Sequence, residues 1–218
     1  MIKELIITTD ADCTFDLKWL STIVSYYEEK QSKMIVAPVK FEGSKSFLEK
    51  FQTLDFIGMQ GVTGASSYWR ISNMANGANL AFEKNVFLEV RGYENNLHIP
   101  SGDDFFLIDK ISKAYPDGVG YLKSASAVVR TKAESTLSRF INQRVRWASK
   151  TKNNTDFRIT AILLFLLLYN LLLVGGVIVG FFFKPIFLGP VLLSLTIKAF
   201  VDFIYLFRVS DFFEQRHL

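Results

Sequence analysis

Leu5-Ile6-Ile7-Thr8-Thr9-Asp10-Ala11-Asp12-Cys13 is the stretch around which the rest of the chain is organised. Three apolar residues with a preference for extended backbone run into two threonines, and two aspartates follow one residue apart. The pattern predicts a short buried strand that ends in an acidic turn. In an open α/β sheet, ligands collect just beyond the carboxyl ends of strands. Two carboxylates at such a place can hold a hard divalent cation, and the cation can hold a diphosphate. Many surface turns carry two aspartates without any ligand, so the pair gains meaning only from what accompanies it.

Outward from that stretch, the composition is uneven. Half of the 218 residues are hydrophobic and the mean hydropathy is +0.22, high for a soluble domain. Up to Arg158 the mixture is ordinary. Beyond it Leu, Ile, Val and Phe are almost continuous. Residues 157–183 and 185–207 are each long enough to span about 30 Å of hydrocarbon at about 1.5 Å per residue. Only Lys184 and Pro185 separate them, which predicts a tight hairpin. Lys198 and Asp202 interrupt the second span four residues apart, where they can pair along one helix face.

The net charge of +4 is modest, but its placement is informative. Arg139, Arg144, Arg146, Lys150, Lys152 and Arg158 crowd the stretch before the first span. A basic cluster suits nucleic acid in some settings. Beside a membrane segment it suits anionic headgroups, and with Arg208 and Arg216 it puts both ends of the hairpin on the cytoplasmic side. The expected localisation is therefore a multi-pass protein of the cell membrane with its soluble part cytoplasmic and no nucleic-acid partner. The single Cys13 has no internal disulfide partner, in keeping with a reducing compartment.

Between these ends the periodicities predict alternating helices and strands. Asp16 to Lys30 reads as a helix with Leu17, Leu20, Ile23, Val24 and Tyr27 on its apolar face and Trp19 to one side. Met34 to Val39 reads as a strand. Ser46 to Met59 is amphipathic, with Phe47, Leu48, Phe51, Leu54 and Ile57 on one face, and Gly58 to Ser67 reads as a loop. Asn76-Gly77-Ala78-Asn79 leads into a strand; its asparagines either close a turn or meet a sugar hydroxyl. Glu83 to Val90 is a short helix. Ser101-Gly102-Asp103-Asp104 opens a helix that runs to Ala114, where acidic residues are favoured whatever else they do. Val119–Leu122 and Ala125–Arg130 read as two short strands, or as one strand with a bulge. Ser135 to Lys150 is an amphipathic helix suited to a membrane interface. It carries Gln143-Arg144-Val145-Arg146-Trp147.

Asp-X-Asp, Gly-Asp-Asp, Gln-Arg-X-Arg-Trp and a membrane hairpin, in that order, resemble the family 2 glycosyltransferases. These are the membrane-bound inverting enzymes that include cellulose, hyaluronan and chitin synthases. The resemblance extends over nearly the whole chain. It implies an α/β fold: a partial GT-A domain, Rossmann-like, over residues 1–133, followed by an α-helical transmembrane hairpin. An interface helix with the Gln-Arg-Val-Arg-Trp motif would occupy 134–154, the hairpin 155–209 and a cytoplasmic tail 210–218. In the family a strand–helix–strand unit that binds the nucleobase precedes the Asp-X-Asp. Only nine residues precede Asp10 here, so the chain is expected to be a fragment that binds nucleotide-sugar poorly.

Residue by residue, the resemblance makes Asp10 and Asp12 ligands of Mg2+ or Mn2+, and Asp104 the catalytic base. It gives Gln143, Arg144 and Arg146 to the diphosphate of a nucleotide-sugar. Asp103, Trp147, Asn76 and Gly77 fall to a glycan or lipid-linked acceptor, with membrane lipid as a further partner. The chemistry suits these residue types. Charge accumulates on the departing diphosphate, where cations offset it. A carboxylate that takes the acceptor's proton gives roughly 10²–10⁴-fold help. Trp147 also suits an interfacial anchor. The alternative reading is a non-catalytic membrane scaffold or accessory module derived from such an enzyme. The sequence leaves the sugar, the nucleobase and the oligomeric state open.

Overall fold

A computed structural model describes residues 4–43, 45–70, 74–94, 102–150 and 157–216. Ser101 and Lys152 fall outside them. The chain divides into two compact units, residues 1–153 and 154–216.

The first unit contains, in chain order, β1 (Leu5–Thr8), α1 (Trp19–Lys30), β2 (Met34–Val36), β3 (Val39–Glu42), α2 (Phe47–Trp69), β4 (Leu80–Glu83), α3 (Lys84–Glu89), α4 (Asp103–Ala114), β5 (Val119–Tyr121), β6 (Val129–Lys132) and α5 (Leu137–Lys150). Four strands form a mixed sheet in the order β1-β4-β2-β5. β4 runs antiparallel to both its neighbours, with Leu80 opposite Thr8 on one side and Val36 on the other. β2 and β5 are parallel, Met34 facing Val119. The carboxyl ends of β1, β2 and β5 and the amino end of β4 therefore lie along one edge. A second, two-stranded parallel sheet pairs β3 with β6, from Val39↔Val129 to Glu42↔Lys132.

Side chains of successive strand residues point to opposite faces, and the core follows that alternation. Met34, Val36, Leu80 and Phe82 pack with Leu107, Ile108 and Ile111 of α4. Ile35 and Ala81 pack on the other face with Trp19, Ile23 and Tyr27 of α1 and with Phe41 and Phe56. Helices thus cover both sides of the sheet, which is a mixed α/β arrangement.

The structure corrects several expectations. α1 buries Trp19, Ile23 and Tyr27, while Leu17, Leu20 and Val24 are exposed. Trp19 decides the rotation: its Nε1 donates to the buried Asn79 Oδ1 at 3.0 Å. Met34–Val39 is not one strand, because the chain passes from β2 to β3 through Ala37 and Pro38. Ala125–Ala127 is a 3-10 turn ahead of β6 rather than strand.

The largest correction concerns α2, which runs unbroken through the predicted loop of Gly58–Ser67 to Trp69. Its small and polar residues are turned inward. Thr63 and Ser66 bond their hydroxyls to Met59 O and Thr63 O, at 3.0 Å each. A Cβ at Gly64 would lie 3.0 Å from Cε1 of Tyr121, so glycine here lets helix and strand approach closely. The start of α2 is fixed by a capping box between Ser46 and Glu49. Its buried face is Gln52, Thr53, Phe56, Ile57 and Gln60, whereas Phe47 and Phe51 are exposed. The glutamines are satisfied by backbone: Gln60 Oε1 accepts from Val39 N at 3.0 Å. Gln52 exchanges two bonds with the backbone of Glu134, at 2.8 and 3.0 Å.

The second unit is a pair of long apolar helices, α6 (Phe157–Phe182) and α7 (Leu188–Phe212), joined by a 3-10 turn at Pro185–Phe187. Within it Thr160–Phe182 has a mean hydropathy of 2.7 and Pro185–Phe212 one of 1.8, and both are long enough to cross a membrane. Tyr169 donates its hydroxyl to Ser194 O across the pair at 3.4 Å. Lys198 and Asp202 form an ion pair along α7.

Candidate functional site

The acidic turn is held at both ends. Cys13 N donates to Asp10 O at 3.1 Å and closes it. Thr14 then exchanges two 2.8 Å backbone bonds with Arg130 of β6. This pins the turn of one sheet to a strand of the other. Beside that bridge, Thr131 Oγ1 donates to Asp12 Oδ2 at 3.2 Å. Asp10, Asp12 and Cys13 each offer an atom within 4.8 Å of the others. The two exposed carboxylates suit a hard divalent cation. The thiol beside them is half-buried: burial raises its pKa, and the neighbouring aspartates raise it further against an opposing backbone bond from Asp10. The carboxylate oxygens suit Mg2+ or Mn2+, and a cation that also took Cys13 would take it as the thiolate.

Asp104 comes to the same edge by a different route. Gly102, at φ +111°, turns the chain into α4 in a conformation that a side chain disfavours. Asp104 then sits in the first helical turn. Its Oδ2 accepts from Gly77 N at 3.1 Å and its Oδ1 from Phe105 N at 2.9 Å. Gly77 is itself tied to β1, because Thr8 Oγ1 donates to Gly77 O at 2.8 Å. The end of β1 therefore positions Asp104 through the turn that precedes β4.

That turn also separates the two asparagines. Asn76 Oδ1 accepts from Ala78 N at 3.1 Å and closes the turn. Asn79 is fully buried, and its Nδ2 donates to Pro38 O at 2.8 Å and Ala127 O at 2.7 Å. Asn79 is a structural tie, whereas Asn76 stays at the edge.

These elements enclose a cavity of about 470 Å3. Asp10, Asp12, Asn76 and Gly77 line it, as do Asp103 and Asp104. From α5, Gln143, Arg146 and Trp147 line it as well. Nine of the ten residues singled out in the sequence thus share one cavity. Arg144 is the tenth, and it does not line it. Its Nη2 is 2.5 Å from Asp55 Oδ2 of α2, and its guanidinium lies over the rings of Phe140 and Trp147, at 4.9 and 4.5 Å. Burial lowers its pKa and Asp55 opposes the shift.

The sequence reading missed Tyr93, Thr131, Lys132 and Glu134, which line the same cavity. Tyr93 has its phenol pKa raised by burial and then by Asp103 and Asp104. Lys132 and Glu134 lay close in sequence to Thr131 and to α5, but no spacing rule marks them. The five carboxylates and two cations of the lining leave a balance of −3 (2 − 5). No family model matches the chain, and no curated protein matches it.

Proposed function

We propose that the protein is a membrane-bound, cation-dependent sugar transferase of the inverting type, built on a GT-A-like α/β domain. The observation that carries this reading is the single cavity shared by Asp10, Asp12, Asp104 and Arg146. Its volume of about 470 Å3 lies in the range of roughly 300–1,000 Å3 usual for small-ligand sites. The acid excess of its lining repels a diphosphate until a cation enters, which makes the activity metal-dependent.

Asp10 and Asp12 would hold Mg2+ or Mn2+, which when bound offsets the charge of the departing diphosphate. Arg146, with Gln143 beside it, meets the diphosphate oxygens. Asp104, oriented by the Gly77 and Phe105 amides, takes the proton of the acceptor hydroxyl. Attack from the side opposite the leaving group inverts the anomeric carbon. Asp103, Asn76 and Trp147 face the acceptor, with the Trp147 ring offering a stacking surface. The long apolar helices anchor the domain at the cytoplasmic face of the cell membrane, within reach of a lipid-linked or growing glycan acceptor.

The test is release of nucleoside diphosphate from a panel of nucleotide-sugars by membranes carrying the protein, with and without Mn2+. Release is expected to need the cation and to fall roughly 10²–10⁴-fold in Asp104→Asn. Equal release by both proteins removes Asp104 from the role of base. A scaffold reading predicts no release from any sugar nucleotide.

A further inference from the structure

We infer that Arg144 is a positioning residue: clamped by Asp55, it fixes the Trp147 ring at the cavity wall rather than receiving the diphosphate. The inference rests on the functional reading above and concerns the same site.

The seam between α5 and α2 carries it. Phe140, Arg144 and Trp147 follow one another at i, i+4 and i+7, along one side of α5. Each meets a residue of α2. The Phe140 ring lies 6.1 Å from that of Phe51, edge to face. Arg144 pairs with Asp55 and donates through Nη1 to Met59 Sδ at 3.5 Å. The Trp147 ring lies 5.9 Å from that of Phe56. Phe51, Asp55 and Met59 are spaced four apart, so a stripe of α2 runs alongside the stripe of α5.

Helix geometry separates this side from the one turned to the cavity. Residues 144 and 146 are two steps of about 100° apart, so they point to nearly opposite sides of α5. Gln143, Arg146 and Trp147 line the cavity. Trp147 therefore belongs to both sets, and its ring stands where the seam opens into the cavity.

That ring is backed by a cation. The Arg144 guanidinium lies over one face of it, 4.5 Å from the ring centre. The covered face is closed to a sugar, which leaves stacking to the other. Asp55 and the Phe140 ring, 4.9 Å away, hold the guanidinium in place. A planar guanidinium can stack and pair with a carboxylate at once, which an ammonium does less well. The two arginines thus divide the work: Arg146 meets the diphosphate, and Arg144 sets the ring that meets the acceptor.

The test uses Mn2+ alone, titrated to saturation into the detergent-solubilised full chain labelled with fluorotryptophan. Bound Mn2+ broadens the fluorine resonances of nearby rings, so the Trp147 line reports where its ring sits. Arg144→Met is expected to weaken that broadening, because the freed ring leaves the cavity wall, while the response of Trp19 is unchanged. Calorimetric affinity for inorganic pyrophosphate, with Mg2+ in excess, is expected to stay that of the unaltered chain. Loss of a charge-assisted contact to phosphate would instead weaken it about tenfold. Asp55→Asn leaves Arg144 without its partner. It is expected to move Trp147 in the same direction, and it carries the test if Arg144→Met does not unfold cooperatively. Unchanged Trp147 broadening in the folded variant overturns the assignment, as does a parallel loss at Trp19 or a fall in pyrophosphate affinity. An unaltered chain that binds no pyrophosphate, or whose Trp147 line ignores Mn2+, sinks the functional reading itself, and the Arg144 assignment with it.

Discussion

Asn79→Leu is expected to loosen the whole first unit. The residue is fully buried, and its side chain makes three bonds: to Pro38 O at 2.8 Å, to Ala127 O at 2.7 Å and from Trp19 Nε1 at 3.0 Å. They join the β2–β3 connection, the turn before β6 and the first residue of α1 to the start of β4. Leucine is close in size but pairs with none of these groups. Three bonds at about 1 kcal/mol each give about 3 kcal/mol. Two carbonyls and an indole N–H left without partners raise the cost to about 5 kcal/mol. Hydrogen exchange of the β2 and β4 amides in the detergent-solubilised chain measures this directly, since those amides exchange through large-scale opening. At about 1.4 kcal/mol per factor of ten, exchange should accelerate on the order of 10³–10⁴-fold. Asn76→Ala, which loses one turn-closing bond, should change it about tenfold or less. An Asn79→Leu chain that exchanges within about fivefold of wild type refutes the structural role given to Asn79.

Gly64→Val should destabilise by about 1–3 kcal/mol in thermal unfolding, because its Cβ alone would press within 3.0 Å of the Tyr121 ring. The Tyr27 phenol, buried and bonded to Glu83 Oε1 at 2.9 Å, has its pKa pushed up to about 12. Its contribution to stability is therefore complete below the unfolded value of about 10 and is lost as pH rises toward 12. The stability gap between wild type and Tyr27→Phe should narrow over that interval, and a constant gap contradicts it. Cysteine introduced at Lys184 should label from the non-cytoplasmic side and one at Arg216 from the cytoplasmic side; labelling of both from one side overturns the hairpin topology.

What could be read in the sequence was whatever depends on near neighbours along the chain. The strand into the acidic turn, which is a half-buried edge strand rather than the buried one expected, the amphipathic α5 and the two long apolar helices are of that kind. The burial of α1 and α2 is not. Apolar periodicity favoured Leu17, Leu20 and Phe51, yet the inward faces hold Trp19, Gln52 and Gln60, because distant partners at Asn79, Glu134 and Val39 satisfy their polar atoms. The glycines and hydroxyls of Gly58–Ser67 read as a loop for the same reason, since only the nearby Tyr121 explains why a helix needs small residues there. Of the site, nine of ten residues converged. The exception, Arg144, was foreseeable from helix geometry, because two residues apart cannot share a face. Its partner Asp55 was not, being 89 residues earlier in the chain.

Fluorine-19 NMR of the chain labelled with fluorotryptophan, titrated with Mn2+, probes most directly whether the acidic turn and α5 share one cavity. Bound Mn2+ broadens nearby resonances. Trp147 lines the cavity, whereas Trp69 lies 13 residues along α2 from the cavity residue Phe56, about 20 Å away. Selective broadening of Trp147 over Trp69, abolished by Asp12→Asn, is the predicted result. Equal effects on both rings, or broadening that persists in Asp12→Asn, contradicts a cation held by the acidic turn opposite the Arg146–Trp147 face.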